Sequence, residues 1–336
     1  MKTPRSEVVV ITGAYGGIGR AIVREFARPG MRLALLARGD EGLDAAVGDA
    51  QWRGAQAIAI PTDVADPNQV ERAAERAEQE LGPIDIWINV AFTNVFGEFW
   101  NISPEEWKRV TDVTYLGYVW GTMSAIRRFR KRNRGTVVQV GSALCYRSIP
   151  LQSAYCGAKS AIRGFTDSIR CELLHRKSKI KLTIVQMPAV NTPQFTWNRV
   201  KGKLKHPQPV PPIYQPEVAG RAVWWAAHKT PRELWVGFPT VLAIVGQKLA
   251  PWFADRYLAK GGYAAQQTSQ PLAPDRPDNL YEPADRSKDY GAHGEFDNQA
   301  HERSWEVEAV LNRGWIIGGL AVAAGTAGAL LLRNRE

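Results

Sequence analysis

Ser142, Tyr155 and Lys159 are the residues of this 336-residue chain whose types and spacing could do chemistry together. Tyr155 and Lys159 are four positions apart. On a helix that spacing puts both on one face, so they can point into one cleft. Ser142 lies thirteen residues before Tyr155, just after the apolar, β-branched run Thr136–Val140. A tyrosine hydroxyl has a reference pKa of about 10 and must fall by about three units, on the order of 4 kcal/mol, to exchange a proton near neutrality. A nearby ammonium supplies part of that. A serine hydroxyl could hold a carbonyl or alcohol oxygen by hydrogen bond. A Tyr-x-x-x-Lys pair arises by chance in many helices, so its meaning depends on what precedes it.

What precedes it is a glycine-rich turn. Thr12-Gly13-Ala14-Tyr15-Gly16-Gly17-Ile18-Gly19 joins the β-branched run Val8–Thr12 to the helical pattern Gly17–Arg28. Without Cβ atoms at Gly13, Gly17 and Gly19, backbone N–H groups and a helix N-terminus can closely approach a pyrophosphate. The second strand ends in Ala37-Arg38. An acidic residue there would grip ribose hydroxyls, whereas arginine suits a 2′-phosphate, so the pattern favours NADP over NAD. The positive end of a nicotinamide ring would then help lower the pKa of Tyr155.

The elements that must position these groups alternate. Strands are predicted at Val8–Thr12, Arg32–Ala37, Ala55–Ile60, Ile84–Val90, Thr136–Val140, Lys181–Met187 and Glu233–Val236. Helices are predicted at Gly17–Arg28, Leu43–Arg53, Asn68–Leu81, Pro104–Val113, Leu116–Phe129, Ala154–His175 and Pro216–His228. This order implies an α/β fold with a doubly wound parallel sheet of Rossmann type. Residues 191–216 read as a long mobile loop of the kind that forms lids. Residues 238–258 are mostly apolar but broken by prolines, and read either as a core helix or as a hydrophobic flap.

Together these residues resemble the short-chain dehydrogenase/reductase family over roughly residues 5–240. The matching pieces are the Thr12–Gly19 loop, Asp63 after the third strand, Asn89-Val90-Ala91 after the fourth, Ser142, Tyr155-x-x-x-Lys159 and Pro188-x-x-x-Thr192. The resemblance implies that Asp63, with Val64, contacts the adenine. It implies that Asn89 stabilises the sheet near the cofactor, that Lys159 also holds the nicotinamide ribose, and that Thr192 binds the nicotinamide end. Tyr15, Gly16, Ile18, Ala91, Pro188 and Val190 fall on the same cofactor surface. A homo-oligomer through Leu116–Phe129 and Ala154–His175 is implied as well. Three departures matter: Ala189 stands where a glycine usually follows the proline of strand six, a mild change, and two weigh more. Phe92 replaces a glycine beside the cofactor. Thr114 stands where the family's fourth catalytic residue, an asparagine, anchors a water of the proton relay.

Composition narrows the class. With 45% hydrophobic and 23% charged residues, the chain is neither wholly disordered nor a polytopic membrane protein. Three scattered cysteines make no disulfide or zinc framework, and no secretory signal is read, so a cytoplasmic, reducing setting is expected for the catalytic body. Residues 1–259 carry 35 Lys and Arg against 22 Asp and Glu, while residues 260–336 carry 8 against 11. Basic runs at 127–134, 176–181 and 199–205 suit either a solvated face or an anionic surface. No nucleic-acid module is recognisable. Residues 1–259 are thus expected to form the catalytic domain and 260–304, poor in aliphatics, a flexible linker. Residues 305–336 are expected to form a helix holding a candidate transmembrane segment, 315–332, of eighteen uncharged residues. The expected activity is NADP(H)-dependent interconversion of an alcohol and a ketone, on a hydrophobic small molecule if Trp197, Trp224, Trp225 and 238–258 line its pocket. The alternative is a non-catalytic nucleotide-binding scaffold or redox sensor, motivated by Thr114 and Phe92.

Overall fold

The structure is a computed structural model and describes residues 6–286 and 288–311. β-Branched and aliphatic runs form the strands β1 (Val8–Thr12), β2 (Arg32–Ala37), β3 (Gln56–Pro61) and β4 (Ile86–Asn89), and between them lie the helices α1 (Gly17–Phe26), α2 (Asp40–Trp52) and α3 (Pro67–Leu81). A two-residue strand β5 (Val95–Phe96) precedes α4 (Pro104–Thr111) and α5 (Gly117–Arg132), then β6 (Thr136–Ser142), α6 (Ser153–His175) and β7 (Lys181–Met187). There follow β8 (Ala189–Val190), α7 (Gln194–Trp197), β9 (Arg199–Val200), β10 (Ile213–Tyr214), α8 (Pro216–Lys229), β11 (Glu233–Trp235), α9 (Phe238–Leu249), α10 (Pro251–Ala265), β12 (Ala300–His301) and α11 (Trp305–Leu311).

Seven strands make one sheet in the order β11-β7-β6-β4-β1-β2-β3, and every pairing in it is parallel. Parallel strands need crossover connections, and those connections cover both faces with helices. One face buries Val9, Ile11 and Leu35 against α1, α2 and α8; the other buries Val8, Val10 and Trp87 against α3 and α5. The chain reverses direction across the sheet between β1 and β4, which opens a crevice at the carboxyl ends of these strands, where ligands of such sheets bind.

α4 begins at Ser103 with a reciprocal capping box to Glu106. It then passes into a single π-helical turn, Asp112–Leu116, before α5. The basic run at 127–134 is partly structural, since Arg128 is buried and paired with Glu71 and Glu78. Likewise Arg199 and Lys201 of the run at 199–205 both reach Glu106.

Two regions differ from expectation. Residues 238–258 form two helices broken at Ala250-Pro251, whose outer faces expose Leu242, Leu249, Trp252, Phe253 and Tyr257. Residues 260–304, expected as a flexible linker, instead finish α10 at Ala265 and then pack on the body. They bury Leu280, Ala292 and Phe296, and β12 adds to a small parallel sheet with β10 and β8. Few aliphatics are needed because polar and backbone hydrogen bonds do the anchoring. The candidate segment 315–332 lies outside the described residues. Among the described residues no helix is long and apolar enough to cross a membrane.

Candidate active site

The glycine loop does what its composition allows. Gly13 sits at φ +66°, and a Cβ there would lie 2.8 Å from the Ala91 Cα. One at Gly19 would lie 1.9 Å from the Gly13 carbonyl oxygen. The loop is thereby closed onto the start of α1 and the end of β4. Thr12 lies beneath it; its hydroxyl oxygen accepts the N–H groups of Val90 (2.9 Å) and Ala91 (3.2 Å). Asn89 is fully buried behind the site. Its amide donates to Gln139 (2.9 Å) and Thr122 (3.2 Å), and its oxygen accepts the Trp87 indole N–H (2.9 Å).

A cavity of about 800 Å³ opens in front of these strand ends. Gly13, Tyr15, Gly16, Gly17, Ile18 and Gly19 line it from the loop, and Arg38, Asp63, Val64 and Ala91 from the ends of β2, β3 and β4. Ser142, Tyr155 and Lys159 line it from β6 and α6, and Pro188, Val190 and Thr192 from the segment after β7. Thr12, Asn89 and Thr114 do not reach its wall. Trp197 does, packed between Tyr15 and Tyr290. Trp224 and Trp225 do not: the first meets Phe26 edge-on and lies tilted against His228, and the second joins the core.

At the reacting corner, Ser142 closes β6 and Tyr155 sits in the first turn of α6, and both side chains line the cavity. Burial pushes the Tyr155 phenol well above its ordinary value, and the Phe92 ring meets it edge-on at 5.6 Å. Lys159, one turn on, is buried. Its Nζ donates to the Tyr118 hydroxyl (2.9 Å) and to the Val140 carbonyl (2.8 Å). Burial drops the ammonium to about 7. Tyr118 in turn donates to the same Val140 carbonyl (2.9 Å). The sequence reading missed Tyr118, which lies inside the α5 run with no spacing of its own to mark it.

Thr114 serves the scaffold. Its hydroxyl donates to the Thr93 carbonyl (2.8 Å) and accepts the Thr93 N–H (3.0 Å), which locks the π-helical turn to the segment after β4. The hydroxyl proton is thus spent on Thr93 and the side chain does not line the cavity, contrary to its expected place among the catalytic groups.

At the opposite end Asp63 lines the cavity while paired to Arg109 (2.7 Å). Arg38 spends two N–H groups on the carbonyls of Tyr281 (2.7 Å) and Asn279 (2.5 Å). Both carbonyls belong to the C-terminal stretch, which the sequence reading had given no part in the site.

The short chain dehydrogenase family model matches residues 7–201. The chain belongs to the short chain dehydrogenase family. It is 31% identical over 287 residues to an uncharacterized oxidoreductase, YxnA, of Bacillus subtilis, covering 84% of this chain and 80% of that one. It is also 31% identical over 196 residues to 3-dehydrosphinganine reductase of Danio rerio, covering 56% of this chain, and it spans only 57% of that reductase's length. A short-chain dehydrogenase structure from Streptomyces avermitilis superposes with a TM-score of 0.61 at 24% identity, covering 77% of this chain and 98% of its own. That likeness speaks to the fold alone. Members of the short chain dehydrogenase family are oxidoreductases that use NAD(P) and act on small molecules.

Proposed function

We propose that this protein is an NADP(H)-dependent oxidoreductase that interconverts a hydrophobic alcohol and its ketone or aldehyde, with Tyr155 as acid/base. The observation that carries the reading is the convergence of Ser142, Tyr155 and Lys159 on one wall of the cavity whose far wall is the glycine loop. The residues present fit a dinucleotide. The glycine cradle under Ala91 leaves no room for side chains, and a Cβ at Gly17 would press on Thr192 at 3.1 Å. When bound, the cofactor would give or take the hydride and, when oxidised, bring a positive charge to the site.

The remaining steps belong to this chain. In carbonyl reduction the Ser142 hydroxyl donates a hydrogen bond to the carbonyl oxygen, and Tyr155 gives it a proton as the carbon gains hydride; alcohol oxidation runs the same steps in reverse. Burial holds Tyr155 as the neutral phenol, the form that reduction requires. The Lys159 ammonium lies 5.6 Å from the centre of the Tyr155 ring and favours the phenolate left behind. Thr12 and Asn89 set the backbone beneath the cofactor, and Arg38 is the residue suited to a 2′-phosphate.

α9 and α10 support a hydrophobic substrate. Pro239, Ala243, Tyr257 and Leu258 line the cavity while their helices expose further apolar side chains. The name of the Danio rerio relative points the same way, to a long-chain ketone. Pairing through α5 and α6, a catalytic body facing the cytoplasm, and membrane attachment through 315–332 belong to the same reading. Deleting residues 305–336 should release the protein from the membrane fraction; unchanged partition would remove the anchor. A panel of long-chain and short-chain carbonyls with NADPH and NADH tests the activity. NADPH oxidation with long-chain substrates is expected. Tight NADPH binding with no carbonyl turned over would favour the scaffold reading instead.

A further inference from the structure

Between Arg276 and Asp297 the chain crosses the nucleotide end of the cavity as a strap. Arg276 donates to the carbonyls of Phe195 (2.8 Å) and Thr196 (2.9 Å), Asp289 pairs with the buried Arg20 (3.2 Å), and Asp297 accepts from Asn191 (2.8 Å). Strap groups take up the donors that would serve phosphates. The Gly17 N–H at the start of α1 donates to the Gly291 carbonyl (3.0 Å), and Arg38 is held by Asn279 and Tyr281.

Asp285 adds a charge. Its buried side chain lines the cavity and lies against the start of α2. A Cβ on Gly39 would lie 2.3 Å from its Oδ1, and one on Gly42 would lie 2.3 Å from its Oδ2. Glycine at both positions makes the room it occupies. Its Oδ2 has no hydrogen-bond partner. A buried acceptor without a donor is costly and points to a missing one. Burial pushes the carboxyl up, and Arg38 nearby pulls it back down.

We propose that Asp285 is a specificity-determining residue for the nucleotide, acting against Arg38. Its carboxylate accepts a ribose hydroxyl but opposes a 2′-phosphate, and the strap that carries it withdraws when NADP(H) seats on Arg38. The inference rests on the NAD(P) site proposed above and adds a second determinant to it. Like charges a few ångströms apart near a protein surface cost enough to shift affinity by about tenfold or more.

The test is binding of NADPH and NADH, read by quenching of tryptophan fluorescence, to wild type, Asp285→Asn, Asp285→Glu and Arg38→Leu. Asp285→Asn should tighten NADPH about tenfold and leave NADH within about twofold, while Asp285→Glu keeps the wild-type ratio. Equal changes for both nucleotides, or none, overturn the role of Asp285. Arg38→Leu separates the two ideas. Lost NADPH preference there upholds the NADP reading whatever Asp285 does, and unchanged preference sinks that reading alone. Amide hydrogen exchange needs no variant. Residues 279–286 and 288–291 should lose protection when NADPH binds, and unchanged or greater protection overturns the withdrawal.

Discussion

Lys159→Met should remove activity, and its stability relative to wild type should fall as pH rises. The Lys159 ammonium is fully buried, and its nearest partners are a phenol and a carbonyl rather than a carboxylate. Burial lowers its pKa from 10.5 to about 7. The folded-state value lies below the unfolded one, so between those two pH values the unfolded chain binds the extra proton and wild-type stability rises with pH. Below about pH 7 both states are charged and the penalty is at its largest. At about 1.4 kcal/mol per unit, a shift of this size is on the order of 4–5 kcal/mol. Loss of two hydrogen bonds from a charged donor, about 1.5–3 kcal/mol each, offsets much of that in the variant. The offset is nearly independent of pH below 7, so the pH dependence is the cleaner readout. Urea unfolding of both proteins at about pH 6 and about pH 9 should show the stability difference moving in favour of wild type by about 2.5 kcal/mol as pH rises. A difference that stays constant to within about 0.5 kcal/mol would mean that Lys159 keeps an ordinary pKa, and the argument from burial would fail.

Three further outcomes can be measured. In the wild type, kcat/KM for carbonyl reduction should fall as pH rises through about 7, where Lys159 loses its proton. Tyr118→Phe removes one acceptor from the ammonium and should move that limb to lower pH; an unmoved limb would take Tyr118 out of the proton network. Thr114→Val strips both hydrogen bonds from the Thr93 backbone and should cost about 2–4 kcal/mol in urea unfolding. Full stability in that variant would show that the π-helical turn is held by packing alone.

Much of this architecture could be read from residue types because the physics is local. Val8–Thr12, Arg32–Ala37 and Lys181–Met187 are runs that only a covered parallel sheet can bury, and their limits coincide with the observed strands. The Gly13–Gly19 loop and the Tyr155–Lys159 spacing are equally local, and both reach the cavity. What stayed hidden depends on tertiary contacts. The π-helical turn at Asp112–Leu116 turns Thr114 onto Thr93, and no periodicity announces it. Tyr118 falls inside a helical run, and only tertiary packing sets Lys159 against its hydroxyl. The strap was least legible. Its contacts with Arg38 and Gly17 run through the carbonyls of Asn279, Tyr281 and Gly291, and a carbonyl is the same in every residue. Composition therefore marked 260–304 as unable to order itself, which holds for a chain relying on apolar burial but not for one bonded to a preformed sheet edge and loop.

Tyr155→Phe isolates the phenol from the rest of the site. The substitution removes one oxygen from a buried ring and leaves Lys159 with both of its partners, Tyr118 and Val140. Single-turnover oxidation of bound NADPH by a carbonyl substrate should slow by about a thousandfold or more, within the range general acid catalysis supplies, while the dissociation constant for NADPH stays within about twofold. Turnover at the wild-type rate with the phenol absent would contradict the account.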